Sequence, residues 1–277
     1  MEPWRDELYH HGIKGMKWGV RRFQNPDGSL TAAGIRRYGV GFKKAEMEVR
    51  SKLDNTPHEY KELNMDISAV KKRGGLSPKD AKECADLGQE AFEKAKEVEP
   101  QITNDICEVA NSTGNKLYGL QFRLKQPTSI AAKIGSDAKD DGVSYEQAVK
   151  GLKDLVRYTT VSDDKNFTSN YKKMKKGLES KGYSEVACKN YFDMYNKGLV
   201  KHKSVQCTYQ NKDGFKFEVQ FQTVASQAAK ELKLPIYEAR RQAGLSDAQK
   251  KDLELQMESL AMQVRTPDDV EKILSHK

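Results

Sequence analysis

The sequence predicts an α+β fold, a mixed β-sheet flanked by helices and extended by helical segments at both ends. Three observations carry that expectation: period-two alternation is confined to the middle of the chain, helical periodicity lies to either side, and glycine- or asparagine-containing turns separate the segments. Taken in order, the N-terminal 42 residues carry glycines at short intervals among aromatic and basic residues, with no sustained period, and are expected to form turns or a tail. FKKAEMEVRSKLDNT and PHEYKELNMDISAVKKR then place apolar residues at helical spacing until Gly74-Gly75 breaks the run. Ser77 is placed to cap the next helix, with Pro78 in its first turn, and ITNDICEVANS reads as a further short helix ending at Thr113-Gly114.

From there the pattern changes. KLYGLQFRLK, DLVRYTTV, YSEVACKNYF, HKSVQCTYQN and GFKFEVQFQT read as strands. Asn211-Lys212-Asp213-Gly214 supplies hairpin chemistry between the last two. PTSIAAKIG and KNFTSNYKKMKKGLESKGY are the intervening helices, and Ala225 to Arg241 is again helical. The segments SDAQKKDLELQMESLAMQV and TPDDVEKIL, each with a capping signal, make a helical tail. The expected organisation is an N-terminal module over 1–42, a helical region over 43–112, a sheet-bearing domain over 113–242 and the tail over 243–277.

Composition narrows the function classes. The chain has 277 residues, a net charge of +8 and a mean hydropathy of −0.81. No stretch approaches the roughly 18 apolar residues of a membrane span, so no membrane partner is expected. The N-terminus lacks the apolar core of a secretory signal, which leaves the bacterial cytoplasm as the expected compartment. Cys84, Cys107, Cys188 and Cys207 form no CxxC pair and are expected as free, buried thiols. The basic balance suits either a polyanionic partner or helix faces on which lysines alternate with acids; charge alone does not choose.

Three groups of residues could carry chemistry. Arg123 and Lys125 would share one side of a strand, and Ser129 and Lys133 one face of the following helix, so that cations and a hydroxyl converge at a strand-to-helix turn. That set suits a polyphosphate; an exposed basic strand edge accounts for it equally. Asp154, on a strand among apolar residues, needs a partner or a metal, and Arg157 is a nearby partner. In FKFEVQFQT, Glu218, Gln220 and Gln222 face away from Phe217, Val219 and Phe221. Both a solvated outer face and a carboxylate-amide site able to hold Mg²⁺ and accept a ribose proton produce that alternation.

The ordered set R-x-K-x-x-x-S-I-x-x-K (123–133), D-x-x-R-Y (154–158) and F-E-V-Q-F-x-T (217–223), joined by Asn190-Tyr191 and Tyr237-Glu238 to Arg241, resembles RelA/SpoT-type nucleotide pyrophosphokinases, the alarmone synthetases, in a divergent phage form. The resemblance covers a little under half the chain. It implies that Arg123, Lys125 and Lys133 contact the phosphates or base of ATP while Ser129 fixes their loop. It further implies that Asp154 and Glu218 hold Mg²⁺, with Glu218 also able to activate an acceptor 3′-hydroxyl, and that Arg157 and Gln220 line the nucleotide site. The family's acceptor-stacking tyrosine is replaced here by Leu199 in Asn196-Lys197-Gly198-Leu199, with Tyr195 and His202 the nearest substitutes. The implied partners are a nucleotide acceptor or a tRNA end.

The N-terminal HHGIKGMKWGVRR resembles a module of phage and prophage head-associated proteins, which implies association with a virion or its packaging proteins. Three functions follow: a Mg²⁺-dependent transferase acting on ATP, a head-associated structural protein with a degenerate nucleotide-binding domain, or a non-catalytic nucleotide sensor or anti-defence binder.

Overall fold

The computed structural model describes residues 33, 41–200, 202–240 and 245–277. Most of the N-terminal module, and Arg241 of the last motif, lie outside them.

Among the described residues, five strands form one mixed sheet in the order β1-β2-β5-β4-β3: β1 Lys116–Leu117, β2 Arg157–Ser162, β3 Ser184–Asn190, β4 Val205–Gln210 and β5 Lys216–Thr223. Only β2 and β5 run parallel; the other neighbours are antiparallel. The helices are α1 Phe42–Ser51, α2 Ile67–Gly74, α3 Pro78–Thr113, α4 Pro127–Asp141, α5 Tyr145–Gly151, α6 Phe167–Ser180, α7 Tyr191–Asn196, α8 Val224–Arg240 and α9 Asp247–Met262. This is the expected α+β arrangement of helices on a mixed sheet. No described helix is long and apolar enough to cross a membrane.

The alternation in β5 sorts the sheet into two faces. Phe217, Val219 and Phe221 are at most 2% exposed and join Tyr158 of β2 and Tyr209 of β4 in the main core. Edge-on ring contacts add direction to that burial, Tyr158 to Phe217 at 6.1 Å and Tyr171 of α6 to Phe221 at 5.0 Å; each such pair contributes about 1 kcal/mol beyond its buried area. The opposite face carries Glu218, Gln220 and Gln222 and is covered by α8, whose Val224 and Ala228 pack with Ala45 and Val49 of α1.

Several local expectations are corrected. KLYGLQFRLK is a strand only at Lys116–Leu117. Gly119 then takes a left-handed φ of 69°, which turns the chain into a 3-10 segment, Leu120–Phe122. Pairing resumes only as a bridge from Leu124 to Val156. Helical spacing over 57–66 gives no helix; α2 starts after Asp66, whose side chain caps it. The short helix expected at 102–112 is the second half of α3, which runs 36 residues through Pro100. A proline there removes one backbone donor, and the continuous buried face of Phe92, Ala95, Ile102 and Ile106 holds the helix together across it. Tyr191 and Phe192 leave the strand for α7, capped by Asn190. The last expected helix is a 3-10 turn, Val270–Lys272.

One close approach positions the site: a Cβ at Gly88 of α3 would lie 2.9 Å from Ala131. Glycine there lets α4 sit tightly on α3, and α4 carries Ser129 and Lys133.

Candidate functional site

The site forms where the parallel strands β2 and β5 begin. Arg157 and Glu218 are register partners, and the Glu218 N–H donates to the Val156 carbonyl at 3.0 Å. Asp154 stands in the connection just before β2 rather than on the strand, three residues from Arg157. Its ion partner is Lys125, whose Nζ lies 2.7 Å from Oδ2, and not the Arg157 the sequence suggested. Oδ1 is buried and has no hydrogen-bond partner among the described residues. Burial works to raise the Asp154 carboxyl, but the Lys125 charge and hydrogen bond, with Lys133 and Arg157 behind them, outweigh it and hold it below the usual carboxylate range. Asp154 is therefore an anion with one oxygen still able to accept. That is what a hard cation requires of a ligand.

Lys133 of α4 lies one turn after half-buried Ser129, and its Nζ pairs with Asp137 at 3.0 Å. Burial alone would lower Lys133, yet the Asp137 hydrogen bond and the charges of Asp154, Asp137 and Glu218 leave it raised. Lys133 thus feels both candidate metal ligands, which places Lys125, Lys133, Asp154, Arg157 and Glu218 in one electrostatic neighbourhood.

The polar face of β5 is not the solvated surface its alternation also allowed. Gln220 and Gln222 are 5% and 4% exposed, and α8 satisfies them. Lys230 Nζ donates to Gln220 Oε1 at 2.7 Å, Gln220 Nε2 donates to Glu218 Oε1 at 2.5 Å, and Ser226 Oγ donates to Gln222 Oε1. The Lys230-Gln220-Glu218 chain orients the carboxylate. Lys230 itself stands in a concave pocket, and burial there, with repulsion from Arg157 only partly offset by Glu231 and Glu218, lowers its ammonium to about 8.

That pocket holds about 400 Å³ between the sheet face, α8 and α9, and its polar lining includes His202, Lys203, Gln206, Gln222, Lys230 and Lys233. The helix α9 and the segment after it give it an apolar wall through Met257, Ala261 and Val264. Burial, with the Lys233 charge, lowers His202, and burial lowers Lys203. Tyr195 is half-buried with Lys203 Nζ 4.2 Å from its ring centre, so one face already holds a cation. His202 packs instead on Tyr191, 4.2 Å between ring centres. Burial raises the Tyr191 hydroxyl, and the Glu218 charge adds to it.

Arg123 does not join the cluster. It is 8% exposed and its guanidinium bonds to Glu99 of α3 and to the carbonyls of His58 and Leu120, with the Tyr60 ring centre 5.3 Å away. It lines a different cleft, of about 380 Å³, with Tyr60, Glu99 and Thr103. The turn at Gly119 is the cause, because without a continuous strand Arg123 and Lys125 need not serve one site.

Sequence reasoning left four residues unassigned to the site: Tyr191, Lys203, Lys230 and Lys233. The Asn190-Tyr191 pair was visible as a motif element. The lysines had no local signal, since on a helix or loop they look like any solvated cation.

Residues 1–25 match a family of unknown function, DUF7211. No curated protein matches the chain. Among solved structures, the chain is similar to a GTP pyrophosphokinase family protein from Streptococcus pneumoniae, at 14% identity over 62% of this chain and 84% of that one, with a TM-score of 0.42. It is also similar to the small alarmone synthetase 1 from Bacillus subtilis bound to its product pppGpp, at 15% identity over 50% of this chain and 71% of that one, TM-score 0.37. A chain of the complex between the Type VI effector Tas1 and its immunity protein is similar at 13% identity, over 66% of this chain and 96% of that one, TM-score 0.39. At these identities and TM-scores the likenesses assign no role to any residue here.

Proposed function

We propose that the chain transfers pyrophosphate from ATP to the 3′-hydroxyl of a nucleotide or of a tRNA end. The observation that carries this reading is the unpartnered, buried Oδ1 of an ionised Asp154, set among Lys125, Lys133 and Arg157 and close enough to Glu218 for both to act on Lys133. The ordered motifs 123–133, 154–158 and 217–223 support it from the sequence side.

In this reading Lys125, Lys133 and Arg157 bind the triphosphate of ATP, and the pocket that Lys230 lines, linked to Glu218 through Gln220, takes the acceptor, with Lys203 and Lys230 facing its phosphates and His202, packed on Tyr191, facing its base. Asp154 and Glu218 are the residues that would hold Mg²⁺, which neutralises phosphate charge when bound. Lys125 then turns from Asp154 to phosphate oxygen. Glu218, oriented by Gln220, accepts the proton of the acceptor hydroxyl. That oxygen attacks the β-phosphorus, the bond from the β-phosphorus to the bridging oxygen of the α-phosphate breaks, and AMP leaves. Positioning and charge supply the acceleration.

A second reading, a nucleotide binder without turnover, has its own support. Lys125 already satisfies one oxygen of Asp154, and Gln220 one oxygen of Glu218. Leu199 is 67% exposed where the resembled family has its stacking tyrosine. A virion or packaging association belongs to the module at 1–42 and is compatible with either reading.

The test is incubation with γ-labelled ATP, Mg²⁺ and, separately, GDP, GTP, ADP, ATP or bulk tRNA, for the native chain and for Glu218→Ala. Label moved to one acceptor, and not by the variant, establishes the transferase and names its substrate. ATP binding without transfer to any acceptor selects the binder, and no nucleotide binding at all removes both.

A further inference from the structure

The antiparallel pair β3 and β4 brings together two cysteines that are 19 positions apart. Cys188 and Cys207 are register partners, 0% and 1% exposed, with their Sγ atoms 2.9 Å apart. The backbone of Cys188 shows which kind of pair this is. Its N–H donates to the His276 carbonyl and its carbonyl accepts the His276 N–H, both at 2.9 Å. Both groups therefore point away from β4, so Cys188 and Cys207 are a non-hydrogen-bonded pair, the narrow type with Cα atoms about 4.5 Å apart. That span lies within the range a disulfide bridges, and the sulfurs need to approach by only about 1 Å to reach a bond length near 2.05 Å.

We propose that Cys188 and Cys207 are a thiol-oxidation site and form a reversible cross-strand disulfide. The oxidant is a small disulfide such as oxidised glutathione. One cysteine thiolate attacks it, forming a mixed disulfide and releasing one glutathione thiol. The second cysteine thiolate attacks the protein sulfur of that mixed disulfide and releases the other. Two protein thiols are oxidised, one glutathione disulfide is reduced to two thiols, and the cysteine protons end on those thiols.

Access sets the rate. Cys188 is covered by the bridge to exposed His276, so that edge segment must lift before an oxidant enters. Burial pushes the Cys207 thiol well above its ordinary value, which further slows attack in the closed fold. The product would tie both ends of the segment that carries Tyr191, Tyr195, His202 and Lys203, and so brace one wall of the lysine-lined pocket.

A metal is the competing use of the same atoms, because a Glu185 oxygen lies with the two sulfurs within 4.8 Å. The Glu185 side chain, 1% exposed, already pairs with Lys175 at 2.8 Å and accepts the Tyr171 and Tyr209 hydroxyls at 3.0 and 2.9 Å. A carboxylate with three donors on it is a poor recruit for an ion, and the disulfide needs nothing from it.

The full chain is incubated with oxidised glutathione, unfolded in an alkylating agent without reductant, digested and mapped by mass spectrometry. The expected result is a linked peptide pair containing Cys188 and Cys207, two alkylated cysteines (Cys84 and Cys107), and a melting temperature raised by several degrees that returns to its starting value with dithiothreitol. Cys188→Ser and Cys207→Ser each abolish the link and the shift; if either variant fails to fold, the map of the native chain decides alone. Four alkylated cysteines after prolonged oxidation overturn the proposal, as does a link involving Cys84 or Cys107. Stoichiometric zinc in the protein grown and purified with zinc, lost in Cys207→Ser, also overturns it in favour of a metal centre.

Discussion

Arg123 and Lys125 stand two residues apart, and the ion pairs they make differ in burial, in partners and in what is left over. Arg123 and Glu99 are 9% and 3% exposed at their side chains. Glu99 also accepts the Thr103 hydroxyl, and Arg123 also donates to two backbone carbonyls. Lys125 and Asp154 are 22% exposed on each side, and one carboxylate oxygen lacks a partner. A saturated, buried pair holds helix α3 against the 3-10 turn that follows β1 and offers nothing to a ligand. In the unsaturated pair Lys125 can exchange its carboxylate for a phosphate, and Asp154 can offer its free oxygen to a cation. The two motif cations divide between fold and chemistry on that ground.

The largest expected effect is on stability, at the saturated pair. Glu99→Gln leaves Arg123 charged and buried without its counter-ion, which costs about 3–5 kcal/mol. For a chain of this size that lowers the melting temperature by on the order of 10 °C. Lys125→Met should cost only about 1 kcal/mol, because the Asp154 side chain is 22% exposed and keeps the charges of Lys133 and Arg157. Thermal unfolding of the two variants side by side is the check. Equal losses would erase the distinction between the pairs.

Next comes activity at the unsaturated pair. Asp154→Asn keeps the shape and removes the charge, and transfer should fall by about 10²–10³-fold, the scale of losing one preorganised electrostatic contact. Its melting temperature at neutral pH should move by only a few degrees. The sign with pH is fixed: the folded Asp154 carboxyl lies below its ordinary 3.8, so the stability it contributes is present above that value and lost as pH falls through the folded one. Acid unfolding of Asp154→Asn should therefore show a weaker dependence below pH 4. A variant that loses turnover and also unfolds at neutral pH would make Asp154 a structural residue like Glu99.

The difference between the pairs was only half legible in the sequence. Period two in FKFEVQFQT correctly separated Phe217, Val219 and Phe221 from Glu218, Gln220 and Gln222, because strand geometry acts residue by residue. Asp154 stood out because an acid among apolar residues needs a reason. Arg123 could not be told from Lys125. Its partner Glu99 is 24 positions away on a helix whose course through Pro100 breaks the local rule, and a single left-handed glycine, Gly119, ends the strand that would have aligned them. Lys230 was hidden for the opposite reason. Its spacing on α8 is that of any surface lysine, and only the fold shows the Gln220 beneath it.

Lys230 allows the comparison to be sharpened by pH. With an ammonium lowered to about 8, it loses its charge as pH rises through that value, and anion binding in the pocket should weaken over the same range. Lys230→Arg stays charged throughout and should remove that limb from a titration of nucleotide affinity. For stability the sign is opposite: between about pH 8 and the ordinary 10.5 the unfolded chain binds the extra proton, so this group makes the fold more stable as pH rises there. Affinity that is flat from pH 7 to 9 would place the bound phosphates away from Lys230.

The smallest effect tests whether Lys133 belongs to the helix or to the site. Its partner Asp137 is one turn along α4, with side chains 36% and 32% exposed, and such pairs contribute about 0.3–0.5 kcal/mol. Asp137→Asn should therefore change the melting temperature by no more than about 1–2 °C. It also releases Lys133 from its nearest anion while Asp154 and Glu218 still draw on it. If Lys133 is a phosphate ligand held in reserve, ATP affinity measured by calorimetry should rise, by about twofold for an interaction of this size. If affinity falls instead, Asp137 is what aims Lys133 at the phosphates. The pair would then behave like Arg123 and Glu99, a contact that sets geometry and is not exchanged on binding.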